Sequence, residues 1–386
     1  MSVDFKSQSH NYANTLLEDV IPFWESHSVD EENGGYFTCL DRKGLVYDTD
    51  KFIWLQARQA WMFSLLYNQW ERRQDWLEIA EKGIRFLIDH GRATNGYFYF
   101  STTQAGKPLI EPYNIFSDCF AAMAFSQFSK ASGDRSVRDL AIQTYRNIGA
   151  RRHNPKGVWN KSTGNRPIKD FALPMIMSNL VLEMEYLLPK AEVEETIEQC
   201  VHEVMTMFYR PENGLIYEYI SPEGKFLDCF EGRLINPGHG IEAMGFMLDI
   251  GARRKDTDLI NQAVRNIVAL LDFGWDPHHQ GLFCFLDAEG HPPYQLEWDQ
   301  KLWWVHLEAL VALLKAVELT NDEFVIKWYQ KVYDYTWNHF PDPEYGEWFG
   351  YLNRQGNPHL TLKGGKWKGC FHLPRALFQC WQVLNK

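Results

Sequence analysis

Two hydrophobic periods alternate along the chain. Stretches with apolar residues three and four apart, such as FIWLQARQAWMFSLLY and KLWWVHLEALVALLK, read as helices. Between them run short segments in which glycine is followed by alternating aromatic or β-branched residues and a polar turn. These are GGYFTCL from Gly34, NGYFYF from Asn95, GVWN from Gly157, NGLIYEYI from Asn213, QGLFCFLD from Gln280 and YGEWFGYL from Tyr345. Their marker glycines, Gly35, Gly96, Gly157, Gly214, Gly281 and Gly346, lie 57 to 67 residues apart. Asn-Gly and Gly-Gly admit positive φ, and the alternation suits a half-buried ribbon, so each segment predicts a β-hairpin. Several continue into a second turn: DRKGL, SPEGK, DAEGH and NRQGN.

The helical period predicts pairs over 51–72 and 75–90, 114–132 and 135–150, 170–188 and 191–208, 238–253 and 256–273, and 300–319 and 322–340. An opening helix near 7–27 and a closing one near 367–384 complete the set. The first helix of each pair is apolar nearly all round, whereas partners such as DWLEIAEKGIRFLIDH have one polar face. An array of this period must bury both faces of its inner helices, and closing it into a ring does so without leaving exposed ends. The expected fold is therefore all-α, an (α/α)6 barrel in one domain, 1–386, with short β-hairpins at the active-site end. An open helical solenoid would lack the evenly placed hairpins.

Since every hairpin precedes an inner helix, all hairpins gather around the inner-helix N-termini, and unusual polar residues concentrate there. Arg58 lies two turns into the first inner helix, His239 and Glu242 open the fourth, His306 and Glu308 lie in the fifth, and His372 opens the sixth. His239 and Glu242, three apart, share a helical face, so the carboxylate can orient the imidazole or reach a substrate beside it. A satisfied core pair competes with that reading, but two histidines from different helices at one barrel mouth favour chemistry. Six helix N-termini there favour an anionic intermediate and neutral imidazoles. Trp54, Trp61, Trp303 and Trp304 are either core or walls for a sugar ring. Arg58, a guanidinium on an apolar helix, needs an anionic partner.

Composition narrows the field. A net charge of -11 without a basic stripe makes nucleic acid and anionic membranes poor partners. No apolar run reaches membrane-span length, and MSVDFKSQSHNY lacks a leader pattern, so a cytoplasmic location is expected. Seven cysteines without a CxxC pair read as buried, reduced thiols, with Cys370, two residues from His372, as a candidate nucleophile. Phosphate-binding, dinucleotide, zincin and nucleophile-elbow motifs are absent.

At these residues the chain resembles a known family. GRLINPGHGIEAMGF, KLWWVHLEALVALL, KGGKWKGCFHLPRALFQC and WLQARQAWMFSLLY look like segments of N-acyl-D-glucosamine 2-epimerases, over essentially the whole chain. The resemblance implies an (α/α)6 barrel, interconversion of N-acetylglucosamine and N-acetylmannosamine, a homodimer, and ATP as a non-hydrolysed activator. It puts the acid/base histidines on His239 and His372, the enolate-side arginine on Arg58, and supporting glutamates on Glu242 and Glu308. Trp54, Asp118, Trp303, Trp304 and His306 are the expected substrate contacts. His306 stands where cellobiose 2-epimerases usually carry glutamine, and PMIMSNLVLEM lacks the histidine that mannose isomerases place there. Arg151, Arg152, Lys156, Lys161 and Arg166 form a basic segment, RRHNPKGVWNKSTGNR, that is either the ATP site or a solvated loop. Inversion at C2 requires two bases on opposite faces, and no metal is needed if arginine and helix dipoles hold the enolate. The alternatives are a glycosidase using two of Glu242, Glu308 and Asp118, another aldose or cellobiose 2-epimerase, and a non-catalytic interaction protein.

Overall fold

A computed structural model describes residues 3–113, 115–154 and 166–386; the GVWN segment lies outside them. Among the described residues, twelve helices follow in the expected order. The opening helix α1 covers 5–27, with a π-helical segment Thr15–Val20 between Phe5–Asn14 and Ile21–His27. Five pairs come next: α2 Ile53–Gln69 and α3 Gln74–His90; α4 Phe116–Ser132 and α5 Arg135–Arg151; α6 Ala172–Met184 and α7 Lys190–His202; α8 Pro237–Arg254 and α9 Thr257–Gly274; α10 Trp303–Thr320 and α11 Glu323–His339. The closing helix α12 is His372–Leu384. It starts later than 367 because KGGKWKGC forms a loop, with Gly364 N–H bonded to Leu40 O and Lys368 paired to Glu347.

This is an (α/α)6 barrel. The even-numbered helices form the inner ring; α2, with Arg58 as its sole charge, is buried along most of its length. The ring closes through apolar contact, with Trp381 of α12 packed at a tilt against Trp70 beyond the end of α2 at 4.0 Å between centroids. Outside it, α1 joins α11 through the Tyr12–Tyr329 hydroxyl pair at 3.1 Å and the Asn11–Tyr333 bond. The outer helices α5, α9 and α11 are capped by Asp134, Asp256 and Asp322. Among the inner helices, α8 is capped by the Asn236 side chain and the first N–H of α6 is accepted by Asp170, while the first N–H groups of α2 and α10 are held by the carbonyls of Phe100 and Gly350 at the hairpin end.

The hairpins are shorter than the alternation implies. The first turn of four of them is closed by single bridges, Val29–Tyr36, Arg92–Phe98, Trp275–Leu282 and Pro341–Trp348. The five described marker glycines all adopt positive φ, from 68° to 83°. Four segments leading into inner helices then pair with the hairpin of the following unit: 51–52 with 101–102, 169–170 with 219–220, 234–235 with 286–287, and 301–302 with 351–352. The segment entering α12 returns to the first unit, where Leu40 O accepts from Lys363 and Gly364.

A repeated buried ion pair fastens this ring. Lys51 meets Asp30 at 2.7 Å, Lys301 meets Asp276 at 3.2 Å and Lys363 meets Asp342 at 2.8 Å, with all three lysines fully buried. Each aspartate also accepts from a side chain of the next hairpin: Gln104, Arg354 and Arg42 respectively. Asp342 therefore joins the last unit to the first. Removing one partner of a buried pair strands the other charge. Asp342→Ala should lower stability by about 3–5 kcal/mol in thermal or urea denaturation. Arg85→Ala, which removes an exposed i,i+4 pair with Glu81, should cost about 0.5 kcal/mol or less.

Candidate active site

The polar residues of the inner helices converge at their first two turns. His372 is held by Glu308 of the neighbouring helix, Nδ1 to Oε1 at 2.7 Å, so Nδ1–H donates and Nε2 keeps its lone pair. That Nε2 lies 3.4 Å from Arg58 Nη1. Burial, reinforced by the Arg58 and Arg375 charges, lowers the His372 pKa to about 4, and the ring is neutral at pH 7.

His239 lies in a different field. Its Nδ1 is 3.0 and 3.1 Å from the two carboxylate oxygens of Glu218, a residue of the fourth hairpin. Burial pulls its pKa down, but the charge and hydrogen bond of Glu218, with Glu242 and Asp170 further off, outweigh that and raise it above the ordinary 6.5. Trp304 lies against both rings, 5.2 Å from His239 and 5.8 Å from His372 between centroids.

Beneath them, Arg375 of α12 bonds Glu308 at 2.8 Å and Glu242 at 3.4 Å. Burial and the nearby Glu308 raise Glu242 to about 7, whereas Arg375 and His372 outweigh burial and lower Glu308. Glu242, Glu308 and His372 bring donor atoms within 4.8 Å of one another, a compact set of metal-ligand type. Arg375 already supplies the cation to both carboxylates. Arg58 has no carboxylate within ion-pair reach among the described residues; it packs on the rings of Phe120, Trp54 and Phe371 at 4.0, 4.4 and 4.5 Å. Burial lowers its pKa to about 9, leaving it cationic at pH 7. Its Nε and the indole N–H of Trp54 are buried donors without a partner among the described residues.

Several sequence expectations are corrected. Glu242 does not hold His239; Glu218 does. His306 is not a substrate contact: its Nε2 accepts from Leu282 N–H at 2.9 Å, its Nδ1 donates to Leu302 O at 2.8 Å, and it is fully buried with a pKa lowered to about 3, chiefly by burial. The reason is helical: 304 and 308 are one turn apart and face the site, whereas 306 points to the outer layer and stacks on Tyr335. Asp118 is fully buried, with its carboxylate turned to Arg151 of the outer helix α5 at 2.9 Å. Trp303 and Trp61 are core, Trp61 donating to Glu183.

Arg152 bonds Gln199 and Glu203, and Arg166 bonds Glu231, so these arginines and Arg151 face carboxylates. Lys156 and Lys161 lie outside the described residues. Burial pushes the Cys370 thiol well up, which removes it as a nucleophile.

Glu218 and Arg375 were missed, although both left a signal. Leu215, Ile216, Tyr217 and Ile220 around it are buried, so Glu218 is a charge in a buried, largely apolar run. Arg375 sits three residues after His372, repeating the His239–Glu242 spacing on an apolar helix.

Residues 35–376, which include every group just described, match the family model for N-acylglucosamine 2-epimerase (GlcNAc 2-epimerase). The chain belongs to the N-acylglucosamine 2-epimerase family. It is 40% identical over 384 residues to N-acylglucosamine 2-epimerase of Rattus norvegicus, covering 96% of this chain and 90% of that one. Among solved structures it resembles cellobiose 2-epimerase from Bacillus thermoamylovorans B4167, with a TM-score of 0.85 at 20% identity over 98% and 99% of the two chains. It also resembles a D-mannose isomerase, with a TM-score of 0.82 at 17% identity over 100% and 99%. These last two likenesses establish the fold.

The inward-facing and outward-facing residues of α10 are separable by experiment. His306→Leu strands Leu282 N–H and should cost about 1–3 kcal/mol in thermal denaturation. Epimerase kcat/KM measured below the melting range should stay within a few-fold of wild type.

Proposed function

We propose that the protein interconverts N-acetyl-D-glucosamine and N-acetyl-D-mannosamine by moving a proton off and onto C2 of the open-chain sugar. The observation that carries this is the pair of imidazoles that both lie against Trp304, each oriented by its own carboxylate and shifted in opposite directions. Groups whose environments separate their pKa values divide acid from base.

In the gluco-to-manno direction His372 is the base. Its Nε2 takes the C2 proton, and the electron pair moves through C1 onto O1 as an enolate. Arg58 stabilises that oxyanion, helped by the dipoles of the inner helices whose N-terminal turns face the site. His239, which holds its proton to higher pH, returns one to the opposite face of C2. The reverse direction exchanges the two roles. Trp54, with its free indole N–H, is a second donor to sugar oxygen, and Trp304 is a wall for the chain.

A glycosidase needs one carboxyl free as acid and another as base or nucleophile. Here all three candidates are tied to guanidinium groups, Glu242 and Glu308 to Arg375 and Asp118 to Arg151. The same reading includes ATP as a non-hydrolysed activator, a homodimer and a cytoplasmic setting, supported by the family resemblance.

Steady-state assays of both directions test the scheme. His239→Ala and His372→Ala should each lower kcat by about 10²- to 10⁴-fold, and Arg58→Ala by about 10²- to 10³-fold; near-wild-type turnover by either histidine variant contradicts it. The sign of the pH dependence follows from the two shifts. In the gluco-to-manno direction the acid limb, set by protonation of His372, should fall near pH 4, and the alkaline limb, set by loss of the His239 proton, above 6.5.

A further inference from the structure

Among the described residues Glu218 makes the one directional contact to a ring nitrogen of His239, and it is anchored more firmly than a hairpin residue needs to be. Its backbone is bonded on both sides: Phe171 N–H donates to Glu218 O at 3.0 Å, and Glu218 N–H donates to Leu234 O at 3.1 Å. Those partners lead directly into α6 and α8, while the adjoining Tyr219–Ile220 pairs with Lys169–Asp170. Two successive units thus meet at this residue, and its side chain is buried.

We propose that Glu218 is the positioning residue of His239: by accepting the Nδ1 proton it fixes the tautomer and ring rotation that present Nε2 to C2, and it stabilises the imidazolium that returns the proton. The inference rests on the two-histidine reading above. The other groups around His239 cannot replace this contact. Asn236 holds only its backbone N–H, at 3.1 Å, and Trp304 of α10 supplies a ring face without a charge. Of the remaining charges, Asp170 lies on the strand before α6, where its carboxylate accepts from Ala172 N–H at 2.8 Å, and Glu242 on α8 itself is tied to Arg375. His372 has an equivalent device in Glu308, taken from a neighbouring helix. The two imidazoles are therefore oriented by carboxylates from structurally different sources, a helix and a hairpin.

Glu218→Gln keeps the shape and removes the charge; Glu218→Asp keeps the charge on a shorter arm. The Gln variant should lose about 10²- to 10⁴-fold in kcat, as when a triad carboxylate that sets a histidine tautomer becomes an amide, with KM changed only a few-fold. Its alkaline limb should move to lower pH, and Glu218→Asp should recover part of both. Imidazole 15N shifts in selectively labelled protein, assigned with His239→Ala, should report a lower His239 pKa and loss of the single Nδ1–H tautomer in the Gln variant. An unmoved alkaline limb with unchanged His239 shifts overturns the proposal, whether or not kcat falls. The 15N titration needs no substrate. If wild-type protein fails to epimerise N-acetyl sugars while the His239 titration still depends on Glu218, the substrate reading fails and the positioning role stands.

Discussion

Helices that are apolar on every side can be buried only inside a closed ring, and closure is the constraint on which this molecule depends. A linear array would expose a flank of α2 and of α12. Instead the last unit returns to the first through Leu40 O and through Asp342, which accepts from both Lys363 and Arg42. The Lys–Asp device recurs at Asp30 and Asp276. It sits where each turn meets the segment leading into an inner helix, and so ties the position of the catalytic end to that of the hairpins.

Closure has an electrostatic consequence. Charges in the first turns of the inner helices are cut off from water and must be settled among themselves. Arg375 settles Glu242 and Glu308, and Glu308 in turn orients His372. Arg58 is the exception: its neighbours are aromatic faces and a neutral imidazole. A guanidinium without a carboxylate in direct contact among the described residues attracts negative charge when it develops, as an enolate oxygen would. The same burial acts unequally on the two histidines. His372, beside two guanidinium groups, is driven down to about 4, whereas His239, beside Glu218, is held up.

Much of this architecture was legible in the amino-acid order because it repeats. Glycines needing positive φ recur at near-constant spacing, and helix bounds such as 114–132 and 322–340 match Phe116–Ser132 and Glu323–His339 closely. What was not legible depends on contacts between units. Glu218 reaches His239 from a hairpin 21 residues away, which no helical spacing reveals. His306 was read together with Glu308 because both lie on α10, but a two-residue step rotates one of them to the outer layer. Asp118 stands at the head of an inner helix like the site residues, yet Arg151 draws its carboxylate outward. Position along a helix gave the depth of a residue in the barrel; the face it occupies required the three-dimensional packing.

The central claim, that two solvent-exchanging imidazoles work on opposite sides of C2, has a direct test. N-acetylmannosamine is incubated with the protein in heavy water, and the C2 proton of the product is followed by proton NMR. The account predicts N-acetylglucosamine deuterated at C2, since the histidine that returns the proton is not the one that removed it. Product that retains the original C2 protium would contradict it.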